Sequence, residues 1–180
     1  MFGRLMQIFI DCSEEFVNTE SELILSGVSE RCLCGSFMLI MNRAINNSEF
    51  SEYFTDIEYN RNFDGQIKTI IDDGMEVINI TCDLIVHSRG QIPECDNLIA
   101  IEMKRDNHPE DEKNKDRIRL KALTKPTNDS MTYSVDGTVY PQHVCGYQVG
   151  VFYEISLNQR VIKIEYYTEG EFYGDYHKTF

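Results

Sequence analysis

The 180 residues contain no run approaching the roughly 20 consecutive apolar positions that span a bilayer, so no membrane segment is expected. The stretch from Met1 to Ile10 is apolar, but Asp11 interrupts it and no small-residue cleavage site follows. It therefore reads as a helix and not a signal peptide. Paired-cysteine spacing is missing too. One residue, not two, separates Cys32 from Cys34, and no second pair complements them. The six cysteines accordingly read as reduced structural side chains, not as a zinc site or a disulfide framework. Basic charge is scarce: 17 Lys and Arg stand against 30 Asp and Glu, and a net charge of −13 repels polyanions at long range. Internal repeats and low-complexity tracts are absent as well. A cytoplasmic protein without a membrane partner is the expectation.

What is present is enough for a packed core. The chain is 42% hydrophobic with ten Phe and ten Tyr, which excludes a disordered chain. Its length suits one core better than two, so one domain is expected over 1–180. Within it, 1–28 reads as an N-terminal helical extension and 168–180 as an acidic, aromatic tail. Leu5, Ile8, Phe9, Cys12 and Phe16 recur at helical spacing over 2–18, and Leu33, Phe37, Ile40, Met41, Ala44 and Ile45 do so over 29–46. Ser29 is the expected N-cap of that second helix. Strand-like runs follow near 54–61, 67–71, 78–87 and 97–104, with turns at Asn62-Phe63-Asp64-Gly65 and Asp72-Asp73-Gly74. A basic helix ends near Thr124, 126–146 reads as an irregular loop, and strands at 147–155 and 160–167 close the pattern. This order predicts an α/β fold with a mixed central sheet flanked by helices.

Two of these runs carry charge where apolar residues dominate. Asp83 sits in Cys82-Asp83-Leu84-Ile85-Val86-His87, and Glu102-Met103-Lys104 ends the run Asn97-Leu98-Ile99-Ala100-Ile101. Side chains alternate along a strand, so Glu102 and Lys104 share a face. Pairing of the two runs through 88–96 brings Asp83 to the same face. Buried charges are costly unless paired or bound to metal, so two carboxylates and an ammonium converging on a sheet end mark a candidate site. A buried ion-pair network with no metal is the alternative reading of the same residues.

The ordered set of Asp83, then Glu102-x-Lys104, resembles the PD-(D/E)XK, or restriction-endonuclease-like, nuclease superfamily. The resemblance covers about residues 29–155. It includes Ser29-Glu30-Arg31 on the first core helix, Glu58-Tyr59-Asn60-Arg61 on a strand, and the helix Asp116-Arg117-Ile118-Arg119-Leu120-Lys121 after the motif. The usual Pro before the Asp is Cys82 here. The resemblance implies a restriction-endonuclease-like core and a small bacterial, Mg²⁺- or Mn²⁺-dependent endonuclease of an antiviral defence or toxin type. It implies Asp83, Glu102, the Met103 carbonyl and Glu30 as metal ligands, and Asp83, Glu102 and Lys104 as the catalytic set.

Lys104 would orient or deprotonate water if burial depresses its pKa. Arg117 and Lys121, at i and i+4, share a helix face and are the expected phosphate contacts. Residues 104–125 hold eight basic and five acidic side chains, a local +3 inside the acidic chain. Nucleic acid is the implied substrate, with a protein partner or a second copy supplying substrate grip. Against the enzyme stand two alternatives: an inactive nuclease-fold protein serving as an interaction module, and an unrelated α/β domain with coincidental charges.

Overall fold

The computed structural model describes residues 1–60, 81–126 and 145–180, together with the backbone of four short strands in the stretches between. Three helices lead: α1 (Phe2–Thr19), α2 (Ser21–Leu25) and α3 (Glu30–Asn46). Then come β1 (Phe54–Ile57), β2 (Thr69–Ile71), β3 (Val77–Asn79), β4 (Leu84–His87) and β5 (Asn97–Arg105). Helix α4 (Glu110–Thr124) precedes β6 (Met131–Tyr133), β7 (Val139–Pro141), β8 (Val149–Ser156), β9 (Val161–Thr168) and β10 (Glu171–Thr179). Strands β1-β4-β5-β8-β9-β10 form a six-stranded mixed sheet, in which β5 and β8 run parallel and the other neighbours antiparallel. The fold is thus α/β. Strands β2–β3 and β6–β7 are separate two-stranded ladders.

Alternation along the strands divides the sheet into two unlike faces. Leu84, Val86, Ile99, Ile101, Met103, Val151, Tyr153, Ile162 and Ile164 join α1 and α3 in the main core. There Phe37 stacks on Tyr153 with centroids 5.6 Å apart, Phe9 meets both edge-on, and the Tyr153 hydroxyl lies 3.0 Å from Ser13 Oγ. Helix α3 starts where its cap directs, with the Ser29 hydroxyl accepting from the Cys32 amide at 3.3 Å. The intervening residues of the same strands face α4. At one end Ile85, Ala100, Phe152 and Tyr167 pack on Leu120 and Leu123; at the other, Glu102, Lys104, Glu154 and Glu165 meet charged α4 side chains.

Gly150 sets how closely α4 lies on the sheet. A Cβ there would stand 3.0 Å from Thr124 Cγ2 and 3.2 Å from Tyr167 Cβ. Gly150→Ala is expected to push α4 outward and destabilise the protein by about 1–3 kcal/mol, read by urea denaturation.

The N-terminal extension over 1–28 is helical, and its Leu5, Phe9, Phe16 and Ile24 are fully buried in the main core. Several expectations are corrected. Residues 168–180 are no tail. Glu169 and Gly170, both at positive φ, make a two-residue hairpin loop that returns the chain as β10 along β9. Strand β10 is exposed along most of its length and so lacks the apolar alternation that marks a half-buried strand. The strand expected over 54–61 stops at Ile57, and Glu58 turns into the left-handed region at φ 49°. The run expected over 78–87 is two strands, β3 and β4, and 126–146 contains the β6–β7 ladder. Both expected turns, 62–65 and 72–74, lie outside the described residues. Among the described residues no helix is long and apolar enough to cross a membrane.

Candidate functional site

The β4–β5 ladder builds the site. Leu84 pairs with Ile101, which places Asp83, one residue before, opposite Glu102, one residue after. Opposed residues of an antiparallel pair share a face, so both carboxylates turn toward α4. Two backbone bonds fix Asp83: its carbonyl accepts from the Glu58 amide at 3.3 Å, and its Oδ2 accepts from the Met103 amide at 2.8 Å. Met103 points its side chain to the opposite face, where Cys34 Sγ lies 3.7 Å from its sulfur. Lys104 follows Glu102 on the α4 face and extends to within 3.5 Å of Asp116 Oδ2.

Helix α4 closes the site with residues that spacing alone did not single out. Arg119 Nη1 donates to Glu102 Oε1 at 2.6 Å and lies 3.0 Å from Asp116 Oδ1. Asp116 is 5% exposed, and no hydrogen bond reaches its Oδ2. Three carboxylates (Asp83, Glu102, Asp116) thus face two cations (Lys104, Arg119) at one end of the sheet. Burial drives the Glu102 pKa up to about 8, beyond what Arg119 offsets, with Asp83 and Asp116 adding to the rise. Burial likewise raises Asp83 above the usual carboxylate range, against the Met103 amide and Lys104. Lys104 goes the other way from expectation. Burial works against its charge, but the carboxylates of Asp116, Asp83, Glu30 and Glu102 outweigh it and raise the pKa above its ordinary value. In this arrangement Lys104 is a held ammonium and not a base.

Glu30 borders the cluster without entering it. Its Oε1 accepts from the Arg105 amide at 2.8 Å and lies 3.0 Å from His108 Nε2, a pairing that sequence spacing does not suggest. Its charge still reaches Asp83 and Lys104. Arg117, the expected phosphate contact, turns toward the sheet acids. It forks onto Glu165 at 2.8 and 3.1 Å, reaches Glu110, and covers the Phe152 ring at 4.5 Å. Lys121 stands 3.6 Å from Glu171 on the exposed β10. Lys113 likewise meets Glu154 at 2.7 Å, so sheet and helix-end acids balance much of the local +3. His87 continues the Asp83 strand on the same face, but pairs with Asp56 at 3.0 Å.

The donor chemistry, three carboxylates against two cations, is of the kind a hard divalent cation takes. Among the described residues, however, no three Asp, Glu, His or Cys side chains stand together as a ready cation cage. Arg119 holds the position between Glu102 and Asp116. The chain matches no family model, and neither a curated protein nor a solved structure matches it significantly.

Proposed function

We propose that the protein is a metal-dependent nuclease that hydrolyses phosphodiester bonds in DNA or RNA, with a restriction-endonuclease-like core. The observation that carries this reading is the placement of Asp83 directly across from Glu102, with Lys104 on the same face and one carboxylate in excess of the local cations. Asp83 and Glu102 would hold Mg²⁺ or Mn²⁺, with Asp116 close by. When bound, the ion would lower the pKa of a coordinated water and neutralise charge developing on the phosphate. Lys104, charged and half-buried, orients that water or steadies the phosphate through its ammonium protons. Glu30 holds the backbone after Lys104 in place through the Arg105 amide. The −13 net charge and the inward-facing Arg117 support a second component, a partner protein or another copy, that supplies substrate grip. A defence or toxin system is the setting that the resemblance suggests for such a pair.

One observation favours a second reading. The Arg119–Glu102 pair satisfies the site internally, as an inactive nuclease-fold interaction module would. A cleavage assay on single- and double-stranded DNA and RNA separates the two. Cleavage is expected with Mg²⁺ or Mn²⁺ and is expected to stop with EDTA. Lys104→Ala is expected to slow it about a hundredfold with little change in metal affinity. A metal-independent blank on every substrate, with candidate partners present, would leave the module reading standing.

A further inference from the structure

Arg119 has no place in the Asp…Glu-x-Lys pattern, yet it makes the closest contact to the central carboxylate. Glu102 is 1% exposed, and the cation nearest to its Oε1 is Arg119 Nη1, at 2.6 Å. The same nitrogen spans to Asp116 Oδ1 at 3.0 Å. A single guanidinium nitrogen therefore bridges Glu102, one of the two carboxylates proposed to hold the ion, and its neighbour Asp116. The Arg119 side chain is 26% exposed, so part of it borders solvent. Asp116 keeps a second cation, Lys104 Nζ at 3.5 Å, when Arg119 withdraws. That pair is made at Asp116 Oδ2, which is buried and has no hydrogen bond besides it. Around it, Lys113 and Arg117 are committed to Glu154 and Glu165.

We propose that Arg119 is the resident counter-cation of this site, holding Glu102 and Asp116 in the metal-free protein and giving up Glu102 for a substrate phosphate when a divalent cation is bound. The inference rests on the nuclease reading above and adds a regulated exchange to it. Arg119 suits both states. Guanidinium pairs with carboxylate and with phosphate through the same planar donors, and it keeps its charge throughout. The exchange keeps the buried Glu102 carboxylate from standing without a cation in the metal-free site. It also couples metal loading to the appearance of a phosphate-binding cation.

The test is calorimetric titration of Mn²⁺ into wild type, Arg119→Met, Arg119→Lys and Glu102→Gln at about pH 8.5, where protons compete least for the carboxylates. Arg119→Met removes the competing cation at similar length. It is expected to bind Mn²⁺ about tenfold tighter, the order of one charge-assisted hydrogen bond no longer displaced. Arg119→Lys is expected to fall between Met and wild type, and it serves if the Met variant does not fold. Cleavage is expected to drop at least about tenfold in Arg119→Met in spite of the tighter metal, because the phosphate loses its cation. A purely structural arginine would leave Mn²⁺ affinity unchanged or weaken it, and either result overturns the exchange while wild-type binding keeps the metal site. No Mn²⁺ binding by wild type, or equal binding by Glu102→Gln, overturns the metal site itself and the exchange with it.

Discussion

Glu102→Gln is expected to reduce metal-dependent cleavage by about a hundredfold or more, because it removes a charged ligand while keeping the side-chain shape. The same substitution is expected to stabilise the metal-free protein, and to do so more as pH rises. The folded-state pKa of Glu102 is raised from 4.5 to about 8, chiefly by burial. Between those values the folded protein retains a proton that the unfolded chain releases, so wild-type stability falls as pH climbs through the window and levels off above it. Asp83, also raised, acts in the same direction. Gln does not titrate, so the melting temperature of the variant should gain on wild type from about pH 5 to pH 8. Arg119 loses one charged partner but keeps Asp116. Added Mg²⁺ is expected to raise the wild-type melting temperature and leave that of the variant unchanged. Thermal melts across pH, with and without Mg²⁺, read all of this. A pH-independent difference would mean that Glu102 is ionised at ordinary carboxylate pH.

Arg117→Ala is expected to cost stability more than substrate affinity, by about 1–3 kcal/mol, because Glu165 loses its forked partner but keeps Lys163 and Tyr167. Glu165 sits almost fully buried between β9 and α4. Burial alone would raise its pKa, but hydrogen bonds from Arg117, Tyr167 and Lys163 outweigh it and hold the carboxyl near 2. A depressed acid stabilises the fold above its unfolded pKa and loses that contribution as pH falls through the folded value. The wild type is therefore expected to lose stability as pH drops from about 4.5 toward 2, and Arg117→Ala to lose less over that range because less remains to be lost. Urea denaturation at pH 7 and at pH 3 reads the difference. Lys163→Ala provides the contrast, since its partly exposed pair contributes little. A phosphate-contact arginine would instead leave stability near wild type and weaken nucleic-acid binding.

The central strands and the long helices were legible because each presents a clear apolar period. Helix α3 begins at its Ser29 cap, and β5 and β8 are nearly continuous apolar runs. The opposition of Asp83 and Glu102 was legible too, since two adjacent buried strands joined by a short connection pair antiparallel. The role of α4 was not. Lys113, Asp116, Leu120, Ala122, Leu123 and Thr124 are its buried residues, and the two in its first half are charged. A helix that buries ions against a charged sheet face shows little apolar periodicity, so Arg117 and Lys121 passed for an outward pair. Reading Asp116 and Arg119 as site residues required the sheet partners, and these are remote in sequence. Strand β10 escaped notice for the opposite reason, because an edge strand with few buried side chains carries no alternation.

Anomalous diffraction from crystals equilibrated with Mn²⁺ tests the central claim most directly. A peak is expected at about 2.2 Å from carboxylate oxygens of both Asp83 and Glu102, with the Arg119 guanidinium moved off Glu102. An empty map at saturating Mn²⁺, with Arg119 Nη1 still 2.6 Å from Glu102 Oε1, would contradict it.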